Sequence, residues 1–468
     1  MASAIRRRLL GSLGLLTLAL AFASPGAAPT LPRISIATGG RSFALPDGRP
    51  YVPFGVTYYR ARTGWAPQLW KKFDVQATRD DFARMRELGI NCVRVFLSYG
   101  SFYRTPGVLD SEGLAKFDRL LEIAEQNGIY VHPTGPDHWE GTPSWARADR
   151  IADEKALAAL ESFWKLFAAR YRGRHAIFAY DLRNEPKVSW DSPVMRRRWN
   201  AWLRRRYGSA SQLAGAWGVS PHRVRWGQEP PPEAKDAPGD RRLLDYQNFR
   251  EDVADEWTRR QVAAIRSADP DALVTVGLIQ WSVPLHLPHL QAYSGFRPER
   301  QAKLLDFLEI HFFPFERGFY EYRSARGEEQ NLRYLERVVA EVARPGKPVV
   351  LAEFGWYGGG QPTFDLGRHP AASEEQQARW GRRVIETTRG LVAGWLNWGL
   401  YDDPEASDVS QLTGLLAADG RTKIWGSQFA ELAQGLRREG LVRDLDPPAP
   451  LDWDLRVTRT DPPGSDLR

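Results

Sequence analysis

The chain has 468 residues, 43% of them hydrophobic and 26% charged, which is close to the average soluble globular protein and enough for one large domain or several ordinary ones. The net charge of +7 falls to +4 when three arginines leave with the predicted signal peptide described below, and so small an excess does not indicate a nucleic-acid partner. The single cysteine, Cys92, excludes an internal disulfide.

Residues 1–28 have the pattern of a secretory signal peptide. Three arginines at 6–8 precede an apolar stretch, 9–23, that is short for a bilayer span and contains a small-residue cleavage site. No later segment is long and apolar enough to be transmembrane. We therefore expect a secreted or periplasmic protein without stable membrane association after cleavage.

From residue 52 onward, short β-like runs alternate with amphipathic helical stretches. The runs are 52–57, 92–97, 129–132, 176–185, 272–277, 307–311, 348–353 and 394–398. Eight strand–helix alternations predict an α/β protein with a parallel sheet closed as a (β/α)8 TIM barrel over residues 33–440. An open doubly wound sheet is the structural alternative, but no Gly-rich nucleotide loop follows the first run.

Three segments decorate this predicted barrel. Residues 33–50, with two Gly-containing turns, indicate a short N-terminal hairpin against the barrel floor. A long insertion, about 187–245, follows the fourth strand, and the proline-rich residues 441–468 predict an extended tail. The insertion carries arginine triplets at 196–198 and 204–206 between aromatic residues, which we interpret as a docked helix with a solvated face and not as a nucleic-acid site.

Barrel enzymes carry their chemistry at the carboxyl ends of the strands, where eight loops converge. The polar and aromatic residues that end the predicted strands are Tyr58, Tyr59, Arg94, His132, Asn184, Glu185, His311, Glu353 and Trp398. A charged side chain is costly in a core but can face a substrate at this end of a barrel.

Glu185 and Glu353, which end the fourth and seventh strands, are the main catalytic candidates. Glycosidic cleavage uses two carboxyl groups, one to protonate the departing oxygen and one to attack or to activate water. We expect Arg94 to keep Glu353 ionised, and the aromatic neighbours of Glu185 to raise its pKa. Either glutamate alone would equally fit a salt bridge at a strand end.

The motifs "NCVRVF", "LRNEP", "LAEFGW" and "GWLNWGLYD" together resemble glycoside hydrolase family 5, the cellulase and β-mannanase family, over roughly residues 51–436. The resemblance implies that Glu185 is the acid/base and Glu353 the nucleophile. It further implies that Asn184 grips the sugar 2-hydroxyl and that Trp398 is a stacking platform, with Arg94 and His311 at matching positions.

The sequence departs from this pattern after the sixth strand. Where the family usually has His-x-Tyr, the chain has His311-Phe312-Phe313, so the tyrosine hydroxyl is missing or comes from Tyr357 or Tyr58. The stretches "WNAWLRRRYGSASQLAGAWG" and "SADPDALVTVGL" resemble instead the family 42 β-galactosidases, which share the fold and both glutamates.

Other constellations indicate no metal or organic cofactor. His132, His138 and Glu140 lack a recognised zinc spacing, and the two histidines fit better as sugar hydrogen-bonding groups on either side of Trp139. No serine nucleophile elbow or Cys/His pair is present.

The sequence therefore predicts a secreted retaining β-glycoside hydrolase with a carbohydrate substrate, most plausibly a β-mannoside or β-glucan. A family 42-like β-galactosidase is the second reading. The alternative from another class is a non-catalytic carbohydrate-binding barrel, which would be expected to lack one of the two glutamates.

Overall fold

The protein is described by a computed structural model that covers residues 31–60, 66–138, 140–147, 149–233, 240–285, 287, 289–314, 322, 324–441 and 449–458. The predicted signal peptide, 1–28, lies outside the described residues. Within these ranges, no helix combines the length and apolar character needed to cross a membrane.

Eleven strands are found in the described residues. Three short strands come first: β1 (Ser35–Ile36), β2 (Phe43–Ala44) and β3 (Pro50–Tyr51). The barrel strands are β4 (Phe54–Thr57), β5 (Cys92–Ser98), β6 (Tyr130–Asp137), β7 (Tyr180–Asn184), β8 (Val274–Ile279), β9 (Leu308–Phe312), β10 (Val349–Phe354) and β11 (Gly394–Trp398).

The strands β4 to β11 pair in parallel and close into an eight-stranded barrel, which confirms the predicted (β/α)8 fold. Most of their residues are buried because helices cover the outside and packed side chains fill the inside. Two register shifts are important for function. One lies between Asp181 and Asn184 on β7, and the other between Leu351 and Glu353 on β10. Such irregularities change the direction in which the following side chain points.

The helices of the described residues follow the strands in the expected alternation. They are α1 (Val75–Glu87), α2 (Tyr99–Phe102), α3 (Ser111–Asn127), α4 (Glu154–Tyr171), α5 (Pro193–Tyr207), α6 (Ala210–Trp217), α7 (Arg241–Ala268), α8 (Pro298–Gln301), α9 (Ala325–Ala343), α10 (Glu374–Thr388), α11 (Ile424–Glu439) and α12 (Trp453–Thr458). Their ends show ordinary capping chemistry. The Asp110 carboxylate accepts two backbone N–H groups at the start of α3, and Gly128 ends that helix with a φ of 70°.

The strands β1, β2 and β3 form an antiparallel sheet that closes the lower end of the barrel, as the predicted hairpin required. Phe43 is fully buried, and its ring meets the edges of Phe178 and Phe307 at centroid distances of 5.1 Å. Tyr51 packs against Tyr130 at 5.0 Å. These contacts form an apolar layer below the polar side chains described next.

The insertion after β7 consists of α5, α6 and the segment that leads to α7. Trp199 and Trp202 on α5 are buried and stack at 5.4 Å, while most of the arginines on the other side of the helix are exposed. This is the predicted docked helix with a solvated basic face.

The C-terminal segment was predicted to be extended, and residues 453–458 instead form α12. Its Trp453 is buried and lies under the guanidinium of Arg297, 4.8 Å from the ring centroid. The prolines of this segment suggested an open tail, but Leu451, Trp453 and Val457 supply enough apolar surface to hold the helix against the domain.

Candidate active site

The interior of the barrel carries a polar layer above its apolar floor. Arg94, His132, Asp181 and Glu309 point inward from β5, β6, β7 and β9, and all four are fully buried. The Arg94 guanidinium donates to Asp181 at 2.8 Å and to the carboxylate of Glu353. His132 contacts Glu309. The charges in this layer are therefore paired, as burial requires.

Glu185 directly follows β7 and has an unusual backbone conformation. Its φ is 41°, in the left-handed region that residues other than glycine rarely adopt. Its N–H donates to the Gly277 carbonyl of β8 at 2.8 Å, which fixes the residue despite the strain. The register shift before it and the strained φ together direct the carboxyl group into the barrel mouth.

Glu353 reaches the same space from β10, and its side chain is only 4% exposed. One carboxylate oxygen accepts a hydrogen bond from Arg94, and the other lies 3.5 Å from Nδ1 of His311. The same His311 nitrogen is 3.0 Å from Oε1 of Glu185. One carboxylate oxygen of each glutamate and a His311 nitrogen lie within 4.8 Å of one another.

Burial raises the pKa of both carboxyl groups to about 7. At Glu353, His311 and Arg94 oppose this effect and the charge of Glu185 adds to it; at Glu185, Arg94 opposes it and Asp137 adds to it. Burial outweighs Arg94, so the pKa of Glu353 is raised although the arginine that was expected to keep it ionised is in contact with it. Arg94 donates to Glu353 and makes no such hydrogen bond to Glu185 among the described residues, so within the pair it favours the negative charge on Glu353.

Asn184 and His311 complete the polar group around the glutamates. The Asn184 side-chain oxygen accepts from Arg94 at 2.9 Å, which leaves its NH2 group to face the cavity. Burial lowers the pKa of His311, so its ring is neutral near pH 7. Its Nε2 is buried and finds no hydrogen-bond partner among the described residues.

An aromatic wall lies beside this group. Tyr59, Phe96 and Trp398 form a separate cluster, with Trp398 5.8 Å from Tyr59 and 6.2 Å from Phe96 between ring centroids. The indole N–H of Trp398 donates to Ser410 at 2.6 Å, which holds the ring in place. Such a wall offers the flat apolar face that a sugar ring can stack on.

His132 and Tyr58 do not join the site, contrary to prediction. Both ring nitrogens of His132 are engaged, one with Glu309 and one with the Ala179 carbonyl at 2.8 Å, inside the closed barrel. The strand β6 continues to Asp137, five residues beyond the predicted end, so His132 lies well below the mouth. Tyr58 points outward from the barrel and donates to Asp81 of α1 at 2.7 Å.

The remaining predicted residues have mixed outcomes. His138 follows β6, is 35% exposed and contacts the Asp137 carboxylate, and its role as a sugar contact stays a prediction. Trp139 lies outside the described residues. Tyr357 packs edge-on against Tyr322 and His369, and its role as the source of the missing hydroxyl stays a prediction.

Two buried carboxylates beside the site, Asp181 and Glu309, were not identified from the sequence. Asp181 accepts from Arg94, from Thr134 at 2.9 Å and from the Gly277 N–H at 2.8 Å, and so it orients the arginine that holds Glu353. Glu309 pairs with His132. The alternation of inward-facing and outward-facing residues along β7 and β9 could have indicated both carboxylates. Asp181 and Glu309 each lie on the same strand face as residues at the mouth.

Two groups of described residues could each place three ligand atoms around a metal ion: His132 with Asp181 and Glu309, and Glu185 with His311 and Glu353. In both groups one carboxylate already contacts the guanidinium of Arg94. A fixed cation in contact with a ligand carboxylate opposes the binding of a second cation there. The two donor sets therefore fit a metal ion poorly.

A closed (β/α)8 barrel with two opposed glutamates and an aromatic wall has the features of the glycoside hydrolase barrels. The chain belongs to one family of this class: the family described as cellulase, glycosyl hydrolase family 5, matches residues 52–403.

The individual relatives have low sequence identity to this chain. Mannan endo-1,4-beta-mannosidase F of Aspergillus clavatus is 28% identical over 192 residues, which cover 36% of this chain and 44% of the relative. Beta-galactosidase BgaA of a Thermus species is 26% identical over 374 residues, 73% of this chain and 52% of the relative. The chain thus spans about half the length of these curated relatives.

Among solved structures, a GH5_18 protein from Streptomyces cattleya in complex with Manβ1-4GlcNAc matches with a TM-score of 0.59 and 20% identity. The match covers 84% of this chain and 83% of that structure. At this identity the likeness supports the fold alone.

Proposed function

We propose that the protein is an exported, retaining β-glycoside hydrolase in which Glu185 is the general acid/base and Glu353 the nucleophile. The observation that carries this proposal is the separation of the two carboxylates, whose facing oxygens lie within 4.8 Å. Retaining enzymes place their carboxyl groups about 5–5.5 Å apart, whereas inverting enzymes leave about 6.5–9.5 Å for a water molecule.

The first half of the reaction uses the proton on Glu185 and the charge on Glu353. A Glu353 oxygen attacks the anomeric carbon, the glycosidic C–O bond breaks, and the Glu185 proton passes to the departing oxygen. Arg94 keeps Glu353 oriented, and Asn184 can donate its free NH2 to the sugar 2-hydroxyl. In the second half, water gives a proton to Glu185 and displaces Glu353 from the same carbon.

The preferred substrate is a β-mannoside or β-glucan, in keeping with the family and with the mannan-cleaving relative. A β-galactoside is the second candidate. It is favoured by the longer match to a beta-galactosidase and by the insertion of α5 and α6. Rates on aryl β-mannoside, β-glucoside, β-galactoside and β-xyloside separate these candidates, and export is tested by sequencing the mature N-terminus.

The catalytic roles are tested by two alanine variants. We expect Glu353→Ala to lose hydrolysis of every β-glycoside, because no covalent intermediate can form. We expect Glu185→Ala to lose about 10²–10⁴-fold on natural glycosides but far less on dinitrophenyl glycosides, whose leaving group needs no proton.

Glu375→Ala is the matched control, since this glutamate is exposed on α10. A Glu353→Ala protein that retained wild-type turnover would refute the nucleophile. Equal losses of Glu185→Ala on both kinds of substrate would refute the acid. Binding of oligosaccharides without turnover by the wild-type protein would support the non-catalytic barrel.

A further inference from the structure

Two arginines beside Glu185 lack the partners that buried charges normally have. Arg183 lies on β7 two residues before Glu185 and is only 6% exposed, and Arg150 is half-buried in the loop before α4. Neither guanidinium forms an ion pair with any described residue, and Nη1 of each is buried without a hydrogen-bond partner there. Carboxylates such as Asp137 act on these arginines electrostatically without forming an ion pair, and buried guanidinium groups that lack a direct partner are costly.

The two arginines share one wall of the barrel mouth with Tyr99 and Asp137. Ser98 pairs with Asp137 across β5 and β6, which brings Tyr99 next to the end of β6. The Arg183 guanidinium lies close enough to affect both groups electrostatically. The Tyr99 hydroxyl and Oδ2 of Asp137 are also buried without hydrogen-bond partners among the described residues.

The arginines also lie close to each other. Burial and the nearby charge of Arg183 lower the pKa of Arg150 to about 10. The loop that carries Arg150 is fixed by Asp149, whose carboxylate accepts the N–H groups of Ile151 and Ala152 at 3.0 Å and the Ser192 hydroxyl at 3.1 Å. The like charges are therefore held together by the fold.

The position of this cluster relative to the glutamates identifies which part of a substrate would reach it. In the eight-stranded barrel β6 is four strands from β10 and β7 is three, so Asp137 on β6 and Arg183 on β7 lie on the side away from Glu353. Asp137 is near enough to raise the pKa of Glu185. A sugar attacked by Glu353 lies on the β10 side, and the leaving saccharide beyond Glu185 extends toward the arginines.

We infer that Arg150 and Arg183, with the Tyr99 hydroxyl, bind the carboxylate of a uronic acid in the leaving-group position of the substrate. This inference rests on the proposed glycoside hydrolase function and specifies its substrate class. Nη1 of each arginine and the neighbouring Tyr99 hydroxyl are donors that suit the two oxygens of a carboxylate, and guanidinium groups bind such planar anions well. Oδ2 of Asp137 accepts a hydroxyl of the same sugar.

The first test measures binding to the wild-type protein by ligand-observed NMR at pH 7, with glucuronic acid and glucuronamide as probes. The two sugars differ only at C6, where a neutral amide replaces the carboxylate. We expect the acid to bind at least tenfold more tightly than the amide, and its advantage to shrink as the salt concentration is raised. Equal affinity of acid and amide overturns the inference.

Variants test which groups supply the preference. Arg150→Gln and the double variant Arg150→Gln with Arg183→Gln are expected to lower the acid-to-amide ratio stepwise toward one. Arg147→Gln is the matched control, because it removes the same charge from an exposed position three residues away. A ratio unchanged in Arg150→Gln overturns the assignment, and this single variant decides the point if the double variant does not fold.

Hydrolysis separates this inference from the proposed function. The substrates are two disaccharides with one β-linked glycone, joined to glucuronic acid or to glucuronamide. A higher kcat/KM for the acid supports both proposals. Equal, measurable rates keep the hydrolase and overturn the carboxylate site. No hydrolysis of either disaccharide or of aryl glycosides, with the acid still bound preferentially, refutes the hydrolase and leaves an anion-binding barrel.

Discussion

Glu185 and Glu353 have similar surroundings, yet a single cation, Arg94, distinguishes the two carboxylates. Burial raises both pKa values to about 7, and Arg94 donates to only one of the two carboxylates. His311 bridges the pair through one nitrogen and remains neutral. Arg94 thus favours the negative charge on Glu353 and leaves the proton to Glu185, which is the arrangement that the proposed double displacement needs.

This arrangement predicts the pH dependence of catalysis. Below a pH of about 7 Glu353 becomes protonated and loses its nucleophilic charge, and above it Glu185 loses the proton that it must donate. We expect a narrow bell-shaped profile of kcat/KM centred near pH 7, with apparent pKa values that belong to the pair. For Glu185→Gln assayed on a dinitrophenyl glycoside, the alkaline limb should vanish; if it persists, Glu185 does not titrate there.

At the residue scale, the sequence identified the side chains that end strands but not how deep each one lies. Arg94, Asn184, Glu185, His311 and Glu353 were predicted at the mouth and do converge there. His132 was misplaced because Pro133, Gly135 and Pro136 suggested the end of a strand that in fact continues. The unpaired guanidiniums of Arg150 and Arg183 could not be foreseen, since pairing depends on contacts between distant segments.

At the scale of elements, two loops beside the site are tied together by one buried lysine. Nζ of Lys423, just before α11, donates to the Gly358 carbonyl after β10 and to the Leu412 carbonyl after β11, both at 2.9 Å. It also pairs with the Asp402 carboxylate at 2.9 Å. The lysine thus couples the loop that follows Glu353 to the loop that holds Trp398.

Removing this lysine should destabilise the protein in a pH-dependent way. Lys423→Met leaves Asp402 buried without its counter-ion, a change that costs about 3–5 kcal/mol in comparable buried pairs. Burial already raises the pKa of Asp402 to about 6, and loss of the lysine raises it further. The carboxyl is then neutral in acid and charged in base, so the melting temperature should fall more at pH 8 than at pH 5.

The control for this prediction is the double variant Lys423→Met with Asp402→Asn, which removes the unpaired charge. It should recover part of the lost stability at pH 8 and show little pH dependence of the difference. A single variant whose loss of melting temperature is the same at both pH values would contradict the explanation.

The order of elements was largely predictable, and the irregularities within them were not. All eight barrel strands overlap the predicted runs, because buried parallel strands are nearly continuous apolar segments. The register shifts before Glu185 and Glu353 leave no mark in the hydrophobic pattern, since they depend on the pairing with neighbouring strands. The helix α12 was missed because its stability comes from contacts with α7.

At the scale of the whole molecule, the barrel is built in layers. The apolar residues that stabilise it lie at the lower end, and the candidate catalytic residues lie at the upper end. The aromatic residues of β2 and β3 fill the lower end, the paired charges around Arg94 lie over them, and the glutamates occupy the mouth. This separation predicts that the floor can be weakened without changing the substrate contacts.

Phe43→Ala tests the layered design. The phenylalanine is fully buried between two other rings, so its removal should lower the free energy of unfolding by about 3–5 kcal/mol. We expect KM to remain within twofold of the wild type at temperatures where the variant is folded. Leu366→Ala is the control, because this leucine is 97% exposed and its loss should not change denaturant unfolding. A large change in KM for Phe43→Ala would show that floor and mouth are coupled.

Packed side chains fill the barrel from the floor at Phe43 and Tyr51 up to the layer around Arg94. A saccharide therefore enters and leaves the site from the barrel mouth. In the proposed double displacement, the freed portion has to withdraw along its path of arrival before a water molecule can approach the glycosylated glutamate. The exit of the first product would then set the timing of the second half-reaction.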